Sequence, residues 1–406
     1  MRTPTQTQRN QLCALTLAAS SLLTANTTHA IGFRIANQDA AAIARGNAFT
    51  ATADTPAAMY YNPAGITQLE GTQAQLGFYI TSVNSTYHSP TGGTAHSLFE
   101  VQPVPQMYLV HSLKDSDFSF GVGTYAPFGL GIEWPETSGF RTMALEGRLM
   151  YSTVNPVIAW QALPSLSFAV GPTINYGRVE LRQGIFLPTA GDEFKFKGIG
   201  WDYGFTLSSR WQPHEKLAFG VNYRCPSEMT FRGHSVAMPY AAEETTRATI
   251  QFPQYIMGGI SYRPTPDWNF EFNIDWTDWD SLNTVTFEKA SGNTPFAFNW
   301  KSSFLYEFGI TRKLRDGYYA SIGYFYSENS TSEVNFNPLT PDTNLHVGSF
   351  GIGRQLEKWS WAVSYQIITG PARTITGSTP SIGGQSADGT FKFFNHSLNF
   401  SVGYRF

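Results

Sequence analysis

The chain has 406 residues, a net charge of −3, 14% charged residues and 15% aromatics. Soluble proteins carry roughly a quarter charged residues, so the composition points away from an ordinary soluble domain. The slightly acidic balance also excludes the basic surface that a nucleic-acid partner requires. Of the two cysteines, Cys13 falls in the leader described next, so Cys225 alone follows it, which leaves no internal disulfide and no metal-type Cys spacing.

The N-terminus reads as an export signal spanning residues 1–30. Arg2 and Arg9 form a basic start, an apolar stretch runs from Leu12 to Leu23, and Thr28-His29-Ala30 is an acceptable cleavage site. No apolar run reaches the roughly 18 residues of a spanning helix, so the exported chain is expected in the periplasm, the outer membrane or the medium. Residues 31–72 are rich in Ala and other small residues, carry Asp39, Arg45 and Asp54, and lack strand alternation. This segment is expected to form a plug, or hatch, inside whatever follows.

From residue 73 to residue 406 the chain reads as a series of amphipathic strands. Lipid-facing strands need only about 9–11 residues with an apolar group at every second position. Leu76-Phe78-Ile80, Phe118-Phe120-Val122, Leu166-Phe168-Val170, Trp201-Tyr203-Phe205-Leu207 and Leu217-Phe219-Val221-Tyr223 all alternate with small or polar residues. The clearest segment sets Trp268, Phe270, Phe272, Ile274 and Trp276 against Asn269, Glu271, Asn273 and Asp275. Further strands follow over 304–310, 318–326, 359–367 and 398–406. Less regular ones lie near 105–113, 150–163, 255–263 and 347–356. The total is about fourteen, an even number as bacterial barrels require, and the fold class is an all-β transmembrane antiparallel barrel. Stretches 130–148, 184–197, 232–247, 281–298, 327–345 and 370–391 are read as extracellular loops. The loop at 130–148 carries Trp134, Phe140, Met143 and Leu145. Such apolar groups form either an exposed outer groove for substrate or the packing of one loop on another. Pro127 lacks an N–H and Gly129 permits a bend, so the strand containing them either breaks there or ends at Ala126.

Several patches resemble FadL-type outer-membrane transporters, the family of long-chain fatty acid and aromatic hydrocarbon transport proteins. They are Ile31-Gly32-Phe33, Gly46-Asn47-Ala48-Phe49, Asp54, Asn62-Pro63-Ala64-Gly65, Thr124 through Leu130, Asn299-Trp300-Lys301 and the aromatic terminus Phe406. The resemblance implies a hatch gated through Phe33, Asn62, Pro63 and Ala64, and a wall opening at Pro127, Phe128 and Gly129. It also implies passive uptake with lateral release into the membrane. Long-chain fatty acids are the expected substrate, with aromatic or alkane hydrocarbons as the alternative. For a carboxylate headgroup it implies cations at Arg178 or Arg182, Arg182 fitting the family's order better, and at Lys301. A general diffusion porin is disfavoured by the plug, and a lipid hydrolase by the scattered histidines. The expected protein is a monomer in the outer membrane, in contact with lipid and lipopolysaccharide, with no enzymatic activity, cofactor or metal.

Overall fold

The computed structural model describes residues 32–186 and 191–406; the signal at 1–30 lies outside the described residues. Fourteen antiparallel strands close into one barrel. In chain order they are β1 (Thr72–Val83), β2 (Glu100–Ser112), β3 (Phe118–Tyr125, resuming at Gly129–Glu133), β4 (Glu146–Leu163), β5 (Leu166–Gln183), β6 (Glu193–His214) and β7 (Leu217–Arg224 and Ser227–Met238). They continue as β8 (Ala241–Phe252 and Tyr255–Tyr262), β9 (Trp268–Thr277), β10 (Ser303–Lys313), β11 (Tyr318–Ser327), β12 (Leu345–Gln355), β13 (Trp359–Thr369) and β14 (Gly389–Arg405). Closure comes from β1 pairing with β14, Gln73 opposite Arg405 through Thr81 opposite Ser397. In hydrocarbon every backbone polar group needs a partner, and only a closed sheet supplies one for each strand.

The alternation seen in the sequence becomes two faces. On β9, Phe270 and Ile274 are exposed while Asn269, Glu271, Asn273, Asp275 and Thr277 are buried. The outward groups meet lipid, and the inward ones meet residues 32–71. This N-terminal segment holds two short helices, α1 (Ala40–Ala44) and α2 (Ala58–Tyr61), and a 3-10 turn at Pro63–Gln68. Nearly all its side chains from Phe33 to Ile66 are buried. Lumen-facing glycines let its backbone approach the wall: a Cβ on Gly309 or Gly323 would strike the backbone at Arg45 and Gly46.

The fourteen strands lie where the sequence puts them, but β6, β7 and β8 run further than expected. Residues 193–197 of the stretch 184–197 and nearly all of 232–247, expected as loops, belong to β6, β7 and β8, and 281–298 contains a hairpin of Thr284–Lys289 with Thr294–Ala297 that pairs with β8. These extensions carry Lys195, Lys197, Arg232 and Arg247 outward, so they lack the apolar alternation that reveals lipid-facing strands.

Candidate functional site

The start of the hatch is held by a fork. Arg34 donates to both carboxylate oxygens of Asp275 on β9, each at 2.6 Å, and to Thr277 Oγ1 at 2.8 Å. Its guanidinium stacks on Tyr255 at 3.8 Å from the ring centre, and both side chains of the ion pair are fully buried. This charge is therefore compensated within the protein. The fork aims the preceding side chain, Phe33, into an aromatic cage of Trp279 (4.7 Å between ring centres), Trp300 (5.4 Å), Phe128 (6.1 Å) and Phe252 (6.1 Å).

Phe33 also joins the hatch to the wall. β3 is interrupted between Tyr125 and Gly129 and then resumes, so it neither runs through nor ends at Ala126. Against β4 the register slips by one residue here, since Tyr125 faces Thr153 but Gly129 faces Met150. The broken segment bonds inward to the hatch: Ile35 N–H donates to Pro127 C=O at 2.8 Å and Gly129 N–H to Phe33 C=O at 2.9 Å. Pro127 cannot donate, so its carbonyl is its only ladder group. Phe128 is buried in the lumen among Phe33, Tyr151 and Phe252. On the other side, β2 pairs with β3 only between Met107–Thr124 and Ser112–Ser119. The rest of β2 has no ladder partner on β3; the Gln102 side chain spans the seam instead, donating to Gly131 C=O at 3.0 Å.

Two cavities meet at Phe33. The first, about 220 Å³, runs from the hatch start past Tyr79 and Phe325 to Val104, Gly129 and Gly131, the edges of the β2–β3 seam. The second, about 100 Å³, is lined mainly by apolar groups, among them Leu149, Val179, Phe196, Ile250 and Phe287. Phe33, Leu130, Leu339 and Thr340 line both. Asp342, in the loop after β11, borders the first cavity and accepts from Gly32 N–H at 3.2 Å and Ser330 N–H at 3.3 Å. Removal from water pushes its carboxyl up to about 7, against the nearby Arg373 and the backbone donors, which pull it down.

Asn62 anchors the other end of the hatch. Its amide donates to Thr50 C=O at 2.8 Å and Ser209 C=O at 3.0 Å, and its oxygen caps Ala64 N–H at 3.2 Å. Pro63 opens the 3-10 turn, where its missing N–H costs nothing. Ala64 N–H also reaches Ser208 Oγ at 2.9 Å, so the turn is tied to β6.

Other expected site residues stand elsewhere. Trp134, Phe140 and Leu145 are buried rather than lining an open groove, and Met143 is half-buried. Trp134 and Phe140 pack with Tyr87, Phe336 and Ile375 from three other loops and with Phe391 at the start of β14, with Met143 against them, in a cap at the loop end of the barrel. Loop packing thus accounts for them, because each ring finds an apolar partner on a neighbouring loop. None of the three cations expected at a headgroup lines either cavity. Arg178 points outward and pairs with Glu180 at 2.5 Å. Arg182 sits among Glu133, Glu136, Glu146 and Glu193 at the rim. Lys301 is exposed, whereas its neighbour Trp300 enters the Phe33 cage. Arg34, Trp279 and Asp342 carry no mark in the sequence that sets them apart, whereas Asp275 does, as a carboxylate on the inward face of a lipid-facing strand.

Residues 21–406 match the family model described as outer membrane protein transport protein (OMPP1/FadL/TodX). The chain belongs to this family. FadL-family proteins are outer-membrane transport channels for hydrophobic compounds, and the closed fourteen-stranded barrel fits that location. A curated relative, a putative outer membrane protein of Neisseria meningitidis serogroup B, is 22% identical over 353 residues, covering 72% of this chain and 76% of that protein. Among solved structures, a Pseudomonas aeruginosa FadL homologue superposes with a TM-score of 0.84 at 17% identity, covering 93% of this chain and 100% of that one. The Pseudomonas putida toluene transporter TodX gives 0.69 at 16% identity, covering 92% and 98%. The Ralstonia pickettii toluene transporter TbuX gives 0.68 at 17%, covering 91% and 98%. At these identities the likeness is one of fold.

Proposed function

We propose that this FadL-family barrel takes up neutral hydrophobic molecules passively, with the hatch start as gate and the β2–β3 seam as lateral exit. The observation that carries the substrate class is the charge around the two cavities. Among the described residues, the first cavity's only lining cation, Arg34, is spent on Asp275, and its remaining charge is the Asp342 carboxyl. The second is lined by Arg148, which is occupied by Glu100 and Glu146. A buried anion needs a paired charge, so a fatty-acid carboxylate finds no free partner here, while an alkane, an alcohol or a monoaromatic needs none. Toluene is the substrate named for two of the structural neighbours, which agrees with this reading.

Transport follows from the Phe33 partition. A ligand in the second, apolar cavity competes with Phe33 for its aromatic cage. Displacing Phe33 pulls on the bonds to Pro127 and Gly129, and so on the strand edge that borders the seam. Exit into lipid avoids the cost of exposure to water, about 0.8 kcal/mol per CH₂. Among the described residues the hatch side chains are buried against the wall, which disfavours the open path a diffusion porin needs. The test is ligand retention by purified protein, comparing toluene and dodecanol with dodecanoate. The neutral ligands are expected to bind at least tenfold more tightly, the equivalent of about 1.4 kcal/mol. Tighter binding of the carboxylate would overturn the substrate class, and uptake unaffected by closing the seam would overturn the route.

A further inference from the structure

We infer that the outward face of β5 to β8, at the extracellular edge of the lipid-facing band, is a binding site for the phosphate of a phosphorylated glycolipid of the lipid A class. The site faces away from the lumen and is separate from the transport path.

Register builds the site. Arg178 on β5 lies opposite Ile199 on β6, Ile199 opposite Arg232 on β7, Arg232 opposite Arg247 on β8, and Arg247 opposite Glu288 on the loop hairpin. One row across the outer face thus carries three guanidiniums. On β5 and β6 the next row toward the membrane holds Tyr176 and Trp201, whose ring centres are 4.9 Å apart, and the row after that brings Tyr203, 73% exposed, while on β7 and β8 the rows below the arginine pair carry Thr230 with Thr249 and Glu228 with Gln251. Amphipathic rings of this kind mark the interface between hydrocarbon and headgroups. The arginine row therefore stands at headgroup depth.

The charges in this row are unevenly paired. Arg178 and Lys197 share Glu180, at 2.5 and 2.7 Å, and Arg247 takes Glu288 at 2.5 Å. Arg232 has no carboxylate within ion-pair distance among the described residues, although it is exposed and directly opposite Arg247. Like charges directly opposite on neighbouring strands repel, and an anion between them removes the penalty. Beside the pair lies an open recess of about 460 Å³, bordered by Arg232, Arg247, Lys289, Thr245 and Asn293 and by the Glu288 carboxylate that Arg247 holds. A phosphomonoester offers enough acceptors for both planar forks, which a single carboxylate oxygen pair does not. Ile199, Trp201 and Tyr203 run down β6 on the other side of Arg232 from the recess, as an apolar track for acyl chains. A headgroup anion with attached chains matches both halves of this surface, and a free anion matches only the first.

The experiment is native mass spectrometry of the full-length protein in detergent, titrated separately with bis-phosphorylated lipid A, with dephosphorylated lipid A and with inorganic phosphate. Wild type is expected to retain bis-phosphorylated lipid A and to lose it with rising salt. Each guanidinium removed should weaken retention about tenfold, so Arg232→Gln/Arg247→Gln should lose roughly a hundredfold. Lys358→Gln, at an exposed turn between β12 and β13, serves as a control and should change nothing. Heat-modifiable mobility reports whether each variant has assembled. If the double variant fails to assemble, Arg232→Gln alone carries the test, because that side chain has no ion pair to lose. Unchanged lipid A retention in an assembled variant would overturn the site. Equal retention of dephosphorylated lipid A would remove the phosphate, and displacement by millimolar inorganic phosphate would reduce the site to a small-anion recess.

Discussion

Replacing Asp275 by Asn tests whether the Arg34 fork seats the hatch. The substitution keeps the side-chain volume but removes the charge opposite a guanidinium whose side chain is fully buried. Two bonds of 2.6 Å turn at best into one to a neutral oxygen, and the remaining bond, to Thr277, cannot balance the charge. Breaking a buried pair from one side costs about 3–5 kcal/mol. At about 1.4 kcal/mol per factor of ten, the lower end corresponds to roughly a hundredfold shift toward the unseated hatch start. Hydrogen exchange followed by mass spectrometry reads this directly. Protection of peptides covering residues 33–38 should fall by about that factor, while peptides over 58–66, held by Asn62, stay unchanged. Arg34→Met combined with Asp275→Asn should recover much of the protection, because the unpaired charge is gone. Wild-type protection in assembled Asp275→Asn protein would refute the fork as the element that seats Phe33 in its cage.

Asn62→Ala leaves the carbonyls of Thr50 and Ser209 without their donor and should cost about 1–3 kcal/mol locally. Reduced uptake with normal heat-modifiable mobility is the expected result. Val104→Cys with Leu130→Cys, joined by a short bismaleimide in a Cys225→Ser background, should close the β2–β3 seam and lower uptake several-fold; an equal rate before and after linkage would count against lateral exit. Phe128 is unsuited to such a bridge because it is turned into the lumen. The Asp342 carboxyl, raised to about 7 where it meets Gly32, gives a contribution to stability that is fully present below the unfolded value near 4 and lost as pH rises through about 7. Exchange protection at residues 32–35, corrected for intrinsic rates, should therefore decline between pH 5 and 8, and Asp342→Asn should flatten that profile.

The barrel was legible because lipid imposes a two-residue period on every strand that meets it, as on β9. Where strands rise above the lipid the constraint lapses, which is why the polar ends of β6, β7 and β8 read as loops. The break in β3 was legible from Pro127 and Gly129, since a missing donor is a property of the residue itself. Its inward direction was not, because that depends on bonds to Phe33 and Ile35, about ninety residues earlier in the chain. The headgroup cations failed for a related reason. Residue type and approximate position suggest a cation, but the face on which it stands depends on register, and Arg178 falls on the outward side of β5. Trp134 and Phe140 are apolar in a loop under either reading, and only the partners supplied by other loops decide that they are buried.

The cap made by Trp134, Phe140, Tyr87, Phe336 and Phe391 bears on how the cell surface presents this protein. Its rings, with Ile375, come from four separate loops and the start of β14, and Trp134 Nε1 donates across to Pro338 C=O at 2.9 Å. What an antibody or a phage tail meets is therefore a composite surface whose shape no single loop holds alone. A synthetic peptide copying residues 130–148 would expose the aromatic groups that the intact cap hides, and would elicit binders to a form absent from the living surface. Exchange of one loop between relatives would leave three others with unfilled space, so antigenic variation by recombination would have to move the cap as one block or stay within its solvent-facing tips.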